Sequence, residues 1–439
     1  MLLGIDVSTT ATKALLIDPD GSLKGVASAP HRLLTPKPLW SEQDPEEWWN
    51  ATRSAIRHVL DRAGVKGDAI SGIGLSGQMH GLVLLDDAGN VIRPAILWND
   101  QRASEECTLI RYTLGLEELV RETGNDAFAG FSLPKLLWVR THEPEHYAQI
   151  AQILLPKDYI RFKLTGEFAT DKAGAGGTLM LGLESRDWSN MVTQEFDVHR
   201  EWLSPTHEGA EITGSVTASA ATRTGLVAGT PVVAGGGDQA AQAVGVGAVS
   251  TDVQALTIGT SGVVFAPTDR PVTESRGRIH AFPHALSGMW HVMGVMLSAA
   301  GSLHWYRDTF TDDEPFEELV REAASAPSGS EGLFFLPYLT GERTPHADPE
   351  ARGAFIGLTR SHRRGHLTRA VLEGVAFGLR DNLDLLVESG VAAPRELLAS
   401  GGAMRSPLWR QIIADVLNVP LIPVVATEGA ALGAAMLAG

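Results

Sequence analysis

A chain of 439 residues is long for one hydrophobic core, so two domains of roughly 200 residues each are expected. Its 36 basic and 52 acidic side chains leave a formal charge of −16, which argues against a protein held on nucleic acid or a membrane surface by bulk electrostatics. One cysteine, Cys107, excludes an internal disulfide and a multi-thiolate metal site, and with no signal-like or spanning apolar run the chain is expected to be soluble and cytoplasmic.

Leu2–Val7 reads as an apolar strand carrying Asp6. It runs into the hydroxyl-rich turn Ser8–Thr12 and returns over Ala14–Asp18 to Pro19-Asp20-Gly21, a hairpin signature. Asp44-Pro45-Glu46-Glu47 then signals a helix start, with the helix continuing through Leu60. Ala69–Leu75 reads as a strand ended by Ser76-Gly77-Gln78-Met79-His80-Gly81, with Leu82–Asp86 as its return. Further on, a short strand at Pro231 feeds Gly235-Gly236-Gly237, and Asp238 opens an alanine-rich helix. Gln254–Ile258, the turn Gly259-Thr260-Ser261-Gly262 and Val263–Ala266 then repeat the strand, hydroxyl turn, strand unit of residues 2–18. The repeat implies two related halves, 1–247 and 248–439, packed around a cleft. From about His362 to Glu388, Leu367, Val371, Val375, Leu379 and Leu383 recur every four residues as in a core-packing helix. Leu397–Ser400 reads as a strand breaking into Gly401-Gly402, and the final small-residue helix from Gly429 needs a neighbour to cover it. Strands alternating with helices in this way indicate a layered α/β protein.

The two hydroxyl turns offer backbone N–H groups and side-chain oxygens, among them Thr9, Thr10 and Thr260, to a polyanion; each is also compatible with a plain tight hairpin. Asp6, at a strand end beside the first turn, is a carboxylate of the kind a magnesium ion needs, and Lys13 adds local positive charge or is merely solvated. Three successive glycines exceed the needs of a helix cap and suggest a backbone that a ligand approaches closely. Asp238 suits an N-cap, and equally a base accepting a proton from a substrate hydroxyl during phosphoryl transfer. Gln78, Met79 and His80, the indole and polar groups of Trp98, Asn99 and Asp100, and Gln239 beside Asp238 are a composition suited to a polyol. Each segment alone is as compatible with a surface loop. His280, His284 and His291 lack the accompanying carboxylates of a metal site. Gly401-Gly402 allows a flat ring to lie on the backbone, or is a simple turn.

Residues 2–18, 256–266 and 397–418 together resemble the first phosphate, second phosphate and adenosine motifs of the actin, Hsp70 and sugar-kinase superfamily. Phe131-Ser132-Leu133-Pro134-Lys135-Leu136-Leu137-Trp138 is similar to the first signature of the FGGY carbohydrate kinases. Gly353–Leu358, with His366-Leu367 and Ala370–Glu373 downstream, is similar to the second. Within that family, Gly77–Gly81 and Gly341-Glu342-Arg343-Thr344-Pro345-His346 resemble the xylulokinase branch. The resemblance implies two ribonuclease H-like, actin-like ATPase domains flanking a central cleft, and ATP-dependent phosphorylation of D-xylulose with Mg²⁺ as cofactor. It implies Asp238 as general base, Asp6 and Asp238 on the metal side, and the ketopentose against Met79 and His80. ATP phosphates are expected near Gly259 and Thr260, and adenosine near Gly401, Gly402 and Arg405. The family pattern usually runs a few tens of residues past the final helix, so the chain is expected to be short at its C-terminus. The expected partners are the sugar and ATP, with a homodimer as the candidate assembly. Another ketose or polyol such as ribulose or glycerol, or a non-catalytic sensor or chaperone-like ATPase on the same scaffold, remain alternatives.

Overall fold

Leu2–Val7 forms strand β1, whose apolar run is that of a strand covered on both faces: Leu3, Ile5 and Val7 have no solvent exposure. The computed structural model, which describes residues 1–424 and 428–439, pairs β1 antiparallel with β2 (Ala11–Ile17), which in turn pairs with β3 (Leu23–Pro30). Helix α1 (Pro45–Ala63) starts where Asp44 accepts the Glu46 N–H and Pro45 fills the first turn, and it stops at Gly64 in the left-handed region. Trp48, Ile56 and Val59 of α1 bury one face of the sheet against Leu3, Ile5, Ala14 and Leu16. Strand β4 (Gly72–Gly77) lies parallel to β1 on its other side, two to three residues later than the sequence pattern suggested.

The segment after it departs from expectation. Strand β5 (Val83–Leu85) is not the return of β4. Helix α2 (Ser132–His142) intervenes in the chain before β5 finds its antiparallel partner, β6 (Gln152–Leu154). The reason is that both edges of β4 are occupied. Helices α3 (Pro156–Thr165) and α4 (Lys172–Gly176) and strand β7 (Ile212–Ser215) lead to β8 (Pro231–Val233) and β9 (Gly236–Gly237), and both of these strands pair parallel with β4. Helix α5 (Asp238–Val246) follows directly.

In the second compact unit, β10 (Gln254–Ile258) pairs antiparallel with β11 (Gly262–Thr268) within a six-stranded sheet. Helices α6 (Ala300–Phe310), α7 (Phe316–Ser325) and α8 (Arg364–Glu388) come next, and Val371, Val375, Leu379 and Leu383 of α8 are buried. Strand β12 (Leu397–Ser400) runs parallel to β10, and after helix α9 (Pro407–Leu417) strand β13 (Leu421–Pro423) runs parallel to β12.

The units do not follow chain order throughout. Phe282–Trp290 and Glu428–Gly439, expected in the second half, pack with residues 1–246. Helix α10 (Gly429–Leu437) covers the face of the first sheet opposite α1, with Ala431 and Ala435 against Leu15 and Ile17. Small residues make that approach possible. A Cβ on Gly4 would lie 1.9 Å from the Ala431 carbonyl oxygen, one on Gly74 1.7 Å from that of Ala434, and one on Gly433 1.7 Å from that of Ala241 in α5. The neighbour that the apolar terminal helix requires is therefore the opening sheet.

Candidate active site

Two carboxylates dominate the first unit. Asp6 is the penultimate residue of β1, in register with Lys13 of β2 and Ser76 of β4, and it is 8% exposed. Its Oδ1 is buried without a hydrogen-bond partner. Burial pushes its pKa up to about 6 against the pull of Lys13, with Glu428 adding repulsion. Asp238 is the first residue of α5, and its pKa is pushed up to about 7 by desolvation and then by the charge of Asp6, while hydrogen bonds from Gln239 pull it down. Both acids thus hold their protons more tightly than an ordinary carboxyl, Asp6 chiefly through burial and Asp238 through burial and the charge of Asp6.

The three glycines before Asp238 have a different reason from the one the sequence suggested. Gly235 has φ +75°, and a Cβ there would sit 1.8 Å from the Leu75 carbonyl oxygen; one on Gly237 would meet Met79 Cγ at 2.9 Å. What approaches this backbone is strand β4 and Met79.

Residues 78–81 form the turn after β4. His80 adopts φ +70°, donates from Nδ1 to the Gly177 carbonyl at 2.6 Å, and lies 4.4 Å from the Phe131 ring, centroid to centroid. Ser132 Oγ and Lys135 Nζ of α2 both donate to the His80 carbonyl, at 2.9 and 2.7 Å, and Lys135 Nζ also donates to the carbonyls of Ile96 and Leu97. Met79 is buried beside it.

Gln78 is placed differently. Its amide donates to Gln43 Oε1 at 3.0 Å and accepts from Thr9 Oγ1 at 3.3 Å, in a network where Gln43 also takes Trp48 Nε1 and Trp98 Nε1 donates to Thr9 Oγ1 at 2.9 Å. Thr9 and Trp98 are thus joined, with the indole 42% exposed. The Asp100 carboxylate is spent on Arg102 and on the Ser41 N–H, so it orients this turn, and Asn99 stands exposed. Thr10 is exposed and Lys13 is ion-paired with Glu428, which leaves less of its charge for a phosphate than the sequence suggested.

In the second unit, the carbonyls of Gly259 and Thr260 accept the N–H groups of Ala300 and Ala299, tying the turn to the start of α6. Gly401, at φ +99°, lies where a Cβ would be 2.2 Å from the Ile258 carbonyl oxygen, whereas a Cβ on Gly402 would meet open space. Gly402 and Arg405 line a cavity of about 640 Å³ together with Leu303, His304, Phe316 and Val320. Sequence reasoning missed those four residues and Gln43. The residues of α6 and α7 carry no motif in the sequence, and nothing in it says which of their faces is open. Glu342 accepts from the N–H groups of Leu297 and Arg343, and burial pushes its pKa up to about 7, so it pins the loop that resembles xylulokinases.

The sequence matches the model of the N-terminal domain of the FGGY family of carbohydrate kinases over residues 1–245, and that of the C-terminal domain over 254–439. The chain belongs to the FGGY carbohydrate kinases. As an FGGY kinase it is a sugar phosphotransferase of a family that uses ATP, with the two-domain, actin-like ATPase fold of sugar kinases. It is 44% identical over 439 residues to a xylulose kinase of Escherichia coli, covering all of this chain and 89% of that protein. The crystal structure of a xylulose kinase from Brucella ovis superposes with a TM-score of 0.94 at 41% identity, covering 100% of this chain and 89% of the other. A gluconokinase of Bacillus subtilis is 32% identical, with 99% of this chain and 86% of that protein covered. No described helix of this FGGY kinase is long and apolar enough to cross a membrane.

Proposed function

We propose that this FGGY kinase transfers the γ-phosphoryl group of ATP to the 5-hydroxyl of D-xylulose. The observation that carries the mechanism is the Asp6–Asp238 pair, with the Asp238 pKa at about 7. A base near the working pH combines a useful fraction of carboxylate with a useful proton affinity. Asp238 takes the hydroxyl proton as the sugar oxygen bonds to the γ-phosphorus and the bond to the β-phosphate oxygen of departing ADP breaks. His80 and Met79 orient the ketose, Gln239 shares the site with Asp238, and Trp98 offers an aromatic face for the sugar's C–H surface. Adenosine lies in the second-unit cavity against Gly402 and Arg405, with Gly401 shaping its wall and the Gly259-Thr260 turn taking the phosphates.

The unpartnered Asp6 Oδ1 and the charge that Asp6 exerts on Asp238 fit a hard divalent cation. Mg²⁺ held there would neutralise phosphate charge. The identity of the xylulose kinase relatives supports the ketose; the gluconokinase relative makes an aldonate the specific second reading. Initial rates with D-xylulose, ribulose, gluconate and glycerol in an ADP-release assay test the sugar. A kcat/KM at least tenfold higher for D-xylulose is expected, and a preference for any other acceptor overturns it. Asp238→Asn is expected to keep sugar binding by calorimetry and to lose about 10³-fold or more in kcat. A cytoplasmic homodimer belongs to the same reading, and sedimentation reads its assembly state.

A further inference from the structure

Helix α3 carries three charged side chains on one buried face. Lys157, Asp158 and Arg161 are each at most 1% exposed at the side chain. Lys157 Nζ contacts Asp158 Oδ1 at 2.5 Å and Asp171 Oδ1 at 2.6 Å, while Thr170 Oγ1 donates to Asp158 Oδ2 at 2.7 Å. The other Asp171 oxygen accepts the Gly174 N–H at 2.8 Å and so caps α4. Arg161 donates from Nη1 to the Val233 carbonyl at 2.8 Å and from Nη2 to the Ala234 carbonyl at 2.6 Å, and it also contacts Thr213.

Burying charges in this way costs desolvation, and an apolar face on α3 would pack as well without it. The carbonyls that Arg161 takes lie where the chain passes from β8 to β9 through Gly235, immediately before Asp238. Asp171 fixes α4, whose following residue Gly177 accepts His80 Nδ1; a Cβ on Gly177 would touch Met79 Cε at 2.9 Å. One ion network therefore reaches the catalytic carboxylate through Arg161 and the sugar-binding turn through Asp171.

We infer that Lys157, Asp158, Arg161 and Asp171 are positioning residues: Arg161 sets the placement of Asp238, and the Lys157–Asp171 pair sets that of His80 and Met79. The inference rests on the reading of Asp238 as the base. Displacement of a reacting group by about 1 Å costs on the order of 10²-fold in rate, so small shifts suffice.

The test is a split between kinetic parameters in the full-length enzyme, with Asp238→Asn measured alongside. Arg161→Lys keeps the charge and loses the two-carbonyl fork; it is expected to lower kcat at least tenfold while sugar KM changes less than threefold. Asp171→Asn keeps an acceptor for the Gly174 N–H and loses the charge pair. It is expected to raise sugar KM at least fivefold while kcat changes less than threefold. ATP KM stays within twofold in both. Should Arg161→Lys fail to fold, the KM effect of Asp171→Asn decides alone. Kinetics within twofold of wild type in both variants, or an Asp171→Asn variant that loses kcat while its sugar KM stays within threefold, overturn the inference. Near-normal kcat in Asp238→Asn overturns the base assignment instead, leaving the Asp171 result to be judged on KM.

Discussion

The hairpins β1–β2 and β10–β11 are the same construction with different chemistry. Each first strand pairs antiparallel with its hairpin partner and parallel with a later strand, β4 in one unit and β12 in the other. At the penultimate position the first carries Asp6 opposite Ser76, and the second Thr257 opposite Ser400, with the two hydroxyls 3.1 Å apart. The first position is a buried acid with one oxygen lacking a hydrogen-bond partner; the second is a neutral hydroxyl paired with another. One architecture thus carries a buried charge in one unit and a neutral hydroxyl pair in the other. The difference lies in a single side chain and its neighbours.

The sharpest way to break this comparison is to remove the acid. Asp6→Asn is expected to lower kcat by roughly 10²–10³-fold, the scale of losing one preorganised electrostatic partner; Thr257→Ala should lower it less than fivefold. Steady-state kinetics decide, and equal losses would erase the distinction. The coverings of the two units differ as well. Gly433→Ala must push a Cβ into the Ala241 carbonyl and is expected to cost about 3 kcal/mol or more, whereas Gly402→Ala meets open space and should change stability by less than about 1 kcal/mol. Urea unfolding measures both.

A third prediction concerns pH. The folded pKa values of about 6 and about 7 for Asp6 and Asp238 lie above the unfolded value near 4. Below about pH 4 both carboxyls are protonated in both states, and the pair's contribution is fully present. As pH rises from there through about 7 the unfolded chain has released protons that the folded chain retains, so stability is lost. Without metal or nucleotide, Asp238→Asn should therefore gain stability relative to wild type as pH rises from about 4 to 7, at up to about 1.4 kcal/mol per unit, and then level off. A gap that does not vary with pH would show that the shift is absent. Smallest is the cap of α9: Ser406 Oγ accepts the Trp409 N–H beside the cavity, and Ser406→Ala should cost about 1 kcal/mol in thermal unfolding.

Much of the fold was legible because local chemistry agrees with tertiary environment. The Asp44-Pro45 start of α1, the four-residue repeat of α8 and the two hairpins appear where the pattern places them. The pairing of β5 with β6 was not legible, because the edges of β4 are taken by strands far along the chain. At the site, Asp6 and Asp238 stand out by residue type and position. The roles of Gln78 and Asp100 could not be read in the same way, since an amide or carboxylate in a loop looks alike whether it faces a ligand or, as here, Gln43 and Arg102.

By itself the sequence determined the α/β character, the duplicated hairpin, the acids at strand and helix ends, and the resemblance to FGGY kinases. These follow from short-range periodicity and from residue types whose chemistry does not depend on distant neighbours. Tertiary structure alone decided that the C-terminal helix closes the first sheet, that Gly235 before Asp238 admits protein backbone, and that burial lifts both carboxylates toward neutral pH, with the charge of Asp6 lifting Asp238 further. Those outcomes depend on which atoms come within a few ångströms across hundreds of residues, and only packing fixes that.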